Sequence, residues 1–340
     1  MKKTLLALAV LGSFVGAASA QSSVTLSGSV DLGFKKANGV KGIDSPGSGR
    51  NAFTLSGVED LGNGTSAIFL LNHRFSTDTG AINVAGNTTG TSPQYFWRNA
   101  WVGLRNSAAG EVRLGRILMP LQDMNGGYES FNGGDTVGNV HTGGGKATVR
   151  ATNAVYYKSP SLGGLTVHLA TAEAEGQVGA ECGKCGTTVV SSVVNGDAAF
   201  NGTERPVGAA LSYSAGPLSA GLAYDKNARD WKTVGLYAKY NFGVALVNVQ
   251  YEKGDVSATA EQKRASISAG IPVGAATVKV GYRKQGADGT NKSDNKLGLG
   301  VDYALSKRTT VYADMGKSSG DSLSAAAEKT QYDLGIWHKF

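Results

Sequence analysis

Apolar and polar side chains alternate with a period of two along most of the chain. Near the start, Val24, Leu26, Gly28, Val30, Leu32 and Phe34 fall on one face, and Thr25, Ser27, Ser29, Asp31 and Lys35 on the other. At the end, Tyr332, Leu334, Ile336 and Phe340 oppose Asp333 and Lys339. In between, Ala276, Val278, Val280 and Tyr282 oppose Thr277, Lys279 and Arg283, and Ala265, Ile267, Ala269 and Ile271 oppose Ser266 and Ser268. This period marks strands with two unlike faces. Sixteen such segments can be traced, starting near residues 23, 49, 65, 94, 110, 148, 164, 205, 217, 230, 244, 262, 275, 294, 308 and 327.

A soluble sandwich also alternates, so three further features decide the class. Many segments reach the length of a tilted bilayer crossing, about 9–11 residues. Short turns, such as Ser214-Ala215-Gly216-Pro217 and Ala304-Leu305-Ser306-Lys307, alternate with long connections. Aromatics gather near strand ends, at Tyr95-Phe96-Trp97, Tyr156-Tyr157 and Trp337, as interfacial girdles would require. The expected fold is all-β, a 16-stranded antiparallel transmembrane β-barrel with both termini on the periplasmic side.

Composition agrees. Beyond Ala20 the densest apolar run is Ala67-Ile68-Phe69-Leu70-Leu71, too short for a membrane helix. Mean hydropathy is only −0.15, as expected where alternate residues alone meet lipid. The chain has 49 glycines against 7 prolines, which suits close turns and a crowded wall. The formal charge of +7 is spread too thinly for a nucleic-acid surface. Lys2 and Lys3, the apolar stretch Leu5 to Val15 and the small residues Ala18-Ser19-Ala20 form a secretory signal pattern. Residues 1–20 are therefore expected to be cleaved, leaving one barrel domain over residues 21–340.

Several motifs, in order, resemble the Gram-negative trimeric porins. They are Ser23-Val24-Thr25-Leu26-Ser27-Gly28 with Asp31-Leu32-Gly33, then Gly57-Val58-Glu59-Asp60-Leu61-Gly62-Asn63-Gly64 before Ala67-Ile68-Phe69. Arg98-Asn99-Ala100-Trp101-Val102-Gly103-Leu104, Val112-Arg113-Leu114-Gly115-Arg116 and the terminal Phe340 follow. The resemblance implies sixteen strands, a homotrimer and a long third loop folded into the lumen. It also implies Phe340 as an outer-membrane assembly signal, and basic wall residues facing loop acids at the narrowest point. The loop is Met119 to Lys146. Its stretch Glu129-Ser130-Phe131-Asn132-Gly133-Gly134-Asp135-Thr136 resembles the family's PEFGGDT tip, without the proline and with Ser-Phe-Asn inserted. Asp123, Glu129 and Asp135 are the constriction acids this implies.

Alternation sorts the arginines. Arg50 shares a face with Thr54 and Ser56, Arg74 with Asn72, and Arg150 with Thr152, so these three read as lumenal. Arg113 is in phase with Gly115 and is a further lumen candidate. Arg98 is in phase with Ala100, Val102 and Leu104, which argues against the lumen unless it stands above the membrane. Arg116 ends its strand, and its place rests on the resemblance. Arg50, Arg74, Arg116 and Arg150 are the expected basic wall. The competing assignment is a solvated rim charge, or a partner of lipopolysaccharide.

Other chemistry is sparse. Cys182-Gly183-Lys184-Cys185 offers too few ligands for zinc and reads as a local disulfide in an oxidising compartment. His73, His141, His168 and His338 show no HExxH or Ser/His/Asp order. No enzyme activity, metal or cofactor is expected. The expected function is passive diffusion of small hydrophilic solutes and ions, with moderate anion preference, through an outer membrane of lipid and lipopolysaccharide. The alternatives are a solute-specific channel and a surface barrel acting as an adhesin.

Overall fold

The computed structural model describes residues 22–37, 40–44, 50–81, 97–131, 136–143, 147–173, 204–257, 259–287, 293–321 and 329–340. The strands are β1 (Ser23–Ala37), β2 (Val40–Asp44), β3 (Ala52–Gly62), β4 (Thr65–Arg74), β5 (Asn99–Asn106) and β6 (Gly110–Leu118). The helix α1 (Pro120–Gly126) precedes β7 (Arg150–Lys158), β8 (Leu165–Ala172), β9 (Val207–Ala215), β10 (Leu218–Lys226) and β11 (Lys232–Asn241). The wall continues through β12 (Leu246–Ser257), β13 (Ala260–Val273), β14 (Ala276–Ala287), β15 (Ser293–Ala304), β16 (Thr309–Gly320) and β17 (Thr330–Lys339).

Neighbouring strands pair antiparallel, and β17 returns to β1, so the sheet closes. Both β2 and β3 lie on one flank of β1, against Gly33–Ala37 and Ser23–Ser29 respectively. The seventeen segments thus occupy sixteen wall positions. A side chain bridges the break between β2 and β3. The Asn51 amide accepts from Asp31 N at 2.5 Å and donates to Asp31 O at 2.9 Å, standing in for a missing peptide. At the opposite seam Phe340 exchanges both backbone hydrogen bonds with Gly28, at 3.0 and 3.1 Å.

The faces are inverted relative to a soluble protein. Val24, Leu26 and Phe34 are 61–65% exposed on the outside, whereas Lys279, Glu252 and Asp31 are 0–1% exposed within. Lipid solvates the apolar face, and the lumen holds the charges. Short turns cluster at one end, which is periplasmic in barrels of this kind. At two of them Gly216 (φ 54°) and Gly274 (φ 61°) adopt the left-handed backbone that favours glycine.

Two details depart from simple alternation. First, Thr152 and Asn153 of β7 together oppose Arg116, a bulge with Asn153 at φ 52°. Ala154 and Tyr156 face inward after the bulge, and Ala151 does so before it, packed on Ile117 and Met119. The phase that set Arg150 and Thr152 against Val155 and Tyr157 therefore does not carry through. Second, Tyr156 and Trp337 are not girdle residues. Tyr156 is 2% exposed inside the barrel, and Trp337 lies on the inward series with Asp333 and Gly335.

Candidate functional site

The described parts of the connection from β6 to β7, residues 119–131, 136–143 and 147–149, turn into the barrel and lie along its inner wall. Leu121 and Met124 of α1 are buried, and Met124 meets Gly221 of β10. Pro120 seats on Gly208 of β9, and Tyr128 stacks on Tyr237 of β11 at 5.6 Å. Gln250 of β12 donates to Asn125 O at 2.7 Å and accepts from Thr142 N at 2.9 Å. Ser130 N donates to Ser268 Oγ of β13 at 3.2 Å. Beyond it, Phe131 is fully buried over Gly281 of β14. A Cβ on Gly298 of β15 would stand 1.9 Å from Gly138 O, so only glycine lets the loop backbone approach that wall. The tip ends at Val137, whose N–H donates to Asp333 Oδ2 of β17 at 2.9 Å.

This course occupies the β9–β17 side. The free lumen is therefore bounded by the loop on one side and by β3–β7 on the other. Asp123 is exposed on α1 and acts electrostatically on Tyr156 and His168. Glu129 instead braces the loop. Its carboxylate accepts from Phe131 N at 2.6 Å and from Val140 N at 3.1 Å, tying the outgoing limb to the returning one. Asp135, Cys182 and Cys185 lie outside the described residues.

The arginines are held differently from one another. Arg50, 2% exposed, donates from Nη1 to Asp31 Oδ2 at 3.0 Å. Its guanidinium is flanked by Tyr312 and Trp337 at 4.8 and 4.5 Å, and Tyr312 donates to the other Asp31 oxygen at 2.8 Å. Arg74 is half-buried above Asn72, which donates to Thr54 Oγ1 at 2.8 Å. Arg150 is 4% exposed and donates from Nε to Asn99 Oδ1 at 2.9 Å, across two strands. Arg116 is in register with Ala100, on the series that continues to the outward Val102 and Leu104. Arg113 lies over Trp101 at 4.6 Å and pairs with Glu111.

Several ionic contacts were not read from sequence, although Lys279, Asp302 and Asp314 fall on the polar face by phase. Glu111 accepts from both Arg105 and Arg113. Glu252, fully buried, accepts from Tyr237 at 2.8 Å and meets Arg264 at 3.9 Å. Lys279 pairs with Asp302 and Asp314 at 2.6 and 3.0 Å beneath the Phe131 ring. Arg264 is in phase with Ser266 and Ser268, and Lys296 with Gly298 and Gly300, so phase was the usable signal for them. His168 links Tyr156 at 2.8 Å to Ser212 at 3.0 Å, an arrangement with a phenol where a hydrolytic triad has a carboxylate. His141, in the loop, packs against Arg283 and is held down to about pKa 4 by burial, and further by Arg283, Lys296 and Arg264. Among the described residues no cluster of His, Cys, Asp and Glu could hold a metal.

A closed antiparallel barrel, apolar outside, charged within and narrowed by its own third loop, is an outer-membrane channel of the porin class. The chain belongs to the Gram-negative porin family, whose model matches residues 7–323. It is 33% identical to outer membrane porin protein 32 of Delftia acidovorans, over 93% of this chain and 89% of that protein. Its fold is similar to the solved anion-selective porin from Comamonas acidovorans, with a TM-score of 0.75 and 25% identity, covering 94% of this chain and 100% of that one. OmpT of Vibrio cholerae in its trimer form has a TM-score of 0.67 and 15% identity, covering 94% and 99%. The protein is an outer-membrane β-barrel that forms a channel.

Proposed function

We propose that this channel passes small hydrophilic solutes and ions by diffusion, with a moderate preference for anions, and carries out no covalent chemistry. The observation that supports the reading is the loop lying along β9–β17, opposite the arc of strands from which Arg50, Arg74, Arg113 and Arg150 would act; Arg116, on the outward series of β6, is left out of that bank. A narrow aqueous gap in a low-dielectric wall concentrates the field of such charges. Screening confines each charge to about 8 Å at physiological salt, so position outweighs net charge. Asp123 on the loop opposes the arc and holds the preference to a moderate level. The resemblance to the anion-selective porin from Comamonas acidovorans supports the sign.

The same reading includes a homotrimer, which the trimer form of OmpT supports, embedded in lipid and lipopolysaccharide after removal of residues 1–20. Reversal potential in a salt gradient across a planar bilayer tests the preference. Arg50→Ala with Arg150→Ala should move it toward cations, most at low salt. A wild-type reversal potential on the cation side would overturn the arginine arc as the dominant field source.

A further inference from the structure

Strands β14 and β15 set Arg283 and Lys296 directly opposite each other. Both lie on the inward series, Arg283 after Lys279 and Gly281, and Lys296 before Gly298 and Gly300. Like charges directly across an antiparallel pair repel. Among the described residues no carboxylate lies within ion-pairing distance of either side chain. Arg283 donates from Nη1 to His141 O at 2.8 Å, and its remaining N–H groups are neither bonded nor closed off. Arg264 of β13 is the diagonal neighbour, because Ser266 is the residue in register with Arg283.

The nearby acids make their direct hydrogen bonds and ion pairs with other groups. Glu129 is held by backbone N–H groups of its own loop, and Glu252 by Tyr237 and Arg264. Asp294, two residues from Lys296 on the same face, acts on Arg283 electrostatically, as Glu129 acts on both basic groups, but neither is in ion-pair contact with them. Both basic side chains keep partial exposure to the lumen. They also have a defined depth. Gly281 and Gly298, under Phe131 and Gly138 of the loop, lie two residues further toward the short turns. The pair is therefore on the extracellular side of the constriction.

We propose that Arg283 and Lys296 hold a small oxyanion between them, at a site an anion meets before the constriction. The proposal rests on the anion-conducting reading above. The guanidinium can present parallel N–H groups to two oxygens of one ligand, and the ammonium can take a third contact. A carboxylate, phosphate or sulfate meets that geometry, whereas a chloride ion cannot be held bidentately.

The test is chloride current through purified trimers in a planar bilayer, with inorganic phosphate or succinate added on the extracellular side. In the wild type, current should fall in a saturable way with either probe. In Arg283→Gln with Lys296→Gln the half-blocking concentration should rise about tenfold or more, the size of a lost charge-assisted contact. Arg283→Lys with Lys296→Arg should restore part of the block and checks that the barrel tolerates change there. Lys284→Gln, on the outward face of the same strand, should leave it unchanged. No saturable block in the wild type, an unchanged block in the double glutamine variant, or an equal loss in Lys284→Gln would each overturn the site. Block by phosphate alone would exclude a carboxylate ligand and keep the oxyanion assignment. The reversal potential in potassium chloride is read in the same membranes. If it stays on the anion side while the block is unchanged, the site fails and the channel reading stands.

Discussion

Arg50 and Asp31 form an ion pair at 3.0 Å with side chains only 2% and 0% exposed, at the break between β2 and β3. Sequence phase puts Arg50 in the lumen, but the charge that reaches the pore is that of the pair. Removing one partner of such a pair strands the other. Asp31→Asn should therefore lower barrel stability by about 3 kcal/mol in urea unfolding. In channels that still assemble, it should increase anion preference at low salt, because Arg50 is no longer offset. A shift toward cations would mean that Asp31 does not compensate Arg50.

The loop seat depends on backbone contact at Gly298, where a Cβ would lie 1.9 Å from Gly138 O. Gly298→Val should push the tip off β15 and raise single-channel conductance, with the strand register kept. Deleting Asp123 to Asp135 should do the same to a greater degree. Unchanged conductance in an intact Gly298→Val barrel would show that the tip does not set the pore.

His141 gives the loop an acid sensitivity. Its value in the docked loop is about 4, against an ordinary 6.5, chiefly through burial and then through Arg283, Lys296 and Arg264. Between those two pH values the undocked loop binds a proton that the docked loop does not. Docking should therefore be unaffected above pH 6.5, weaken as pH falls through that window, and reach its full loss below about 4. Conductance noise recorded from pH 7.5 to 4 should grow over this range, and less so in His141→Gln. Equal growth in the variant would move the acid response to another group.

Phe340 contributes two separable things. Its backbone pairs with Gly28, and its ring lies over that glycine on the outer face, 44% exposed. Phe340→Ala keeps the backbone bonds, so unfolding of the refolded barrel should change by no more than about 1.5 kcal/mol. Yield in the outer membrane should drop several-fold if the ring is read during assembly. A normal yield would remove Phe340 as an assembly signal.

Most of the wall was legible in the chain. The first, last and twelve or more intermediate segments traced by alternation coincide with strands within a few residues, because lipid on one side and water on the other impose the same period on each crossing. Legibility failed where that constraint lapses. At Arg150 the β7 bulge resets the phase, and nothing in Thr152-Asn153 announces it. At Trp337 and Tyr156 the aromatic type suggested a girdle, whereas their place in register put them beneath arginines.

The sequence by itself determined the class of protein, the approximate strand number and which face of most strands meets lipid, since these follow from local periodicity. Only the tertiary structure decided which charges remain unmatched. Asp31 meets Tyr312 across 281 positions, Val137 meets Asp333 across 196, and Asn125 meets Glu252 across 127. Such partners are brought together by barrel closure and by the inward course of one loop. Both depend on long-range register and backbone approach at a few glycines, which no local pattern encodes.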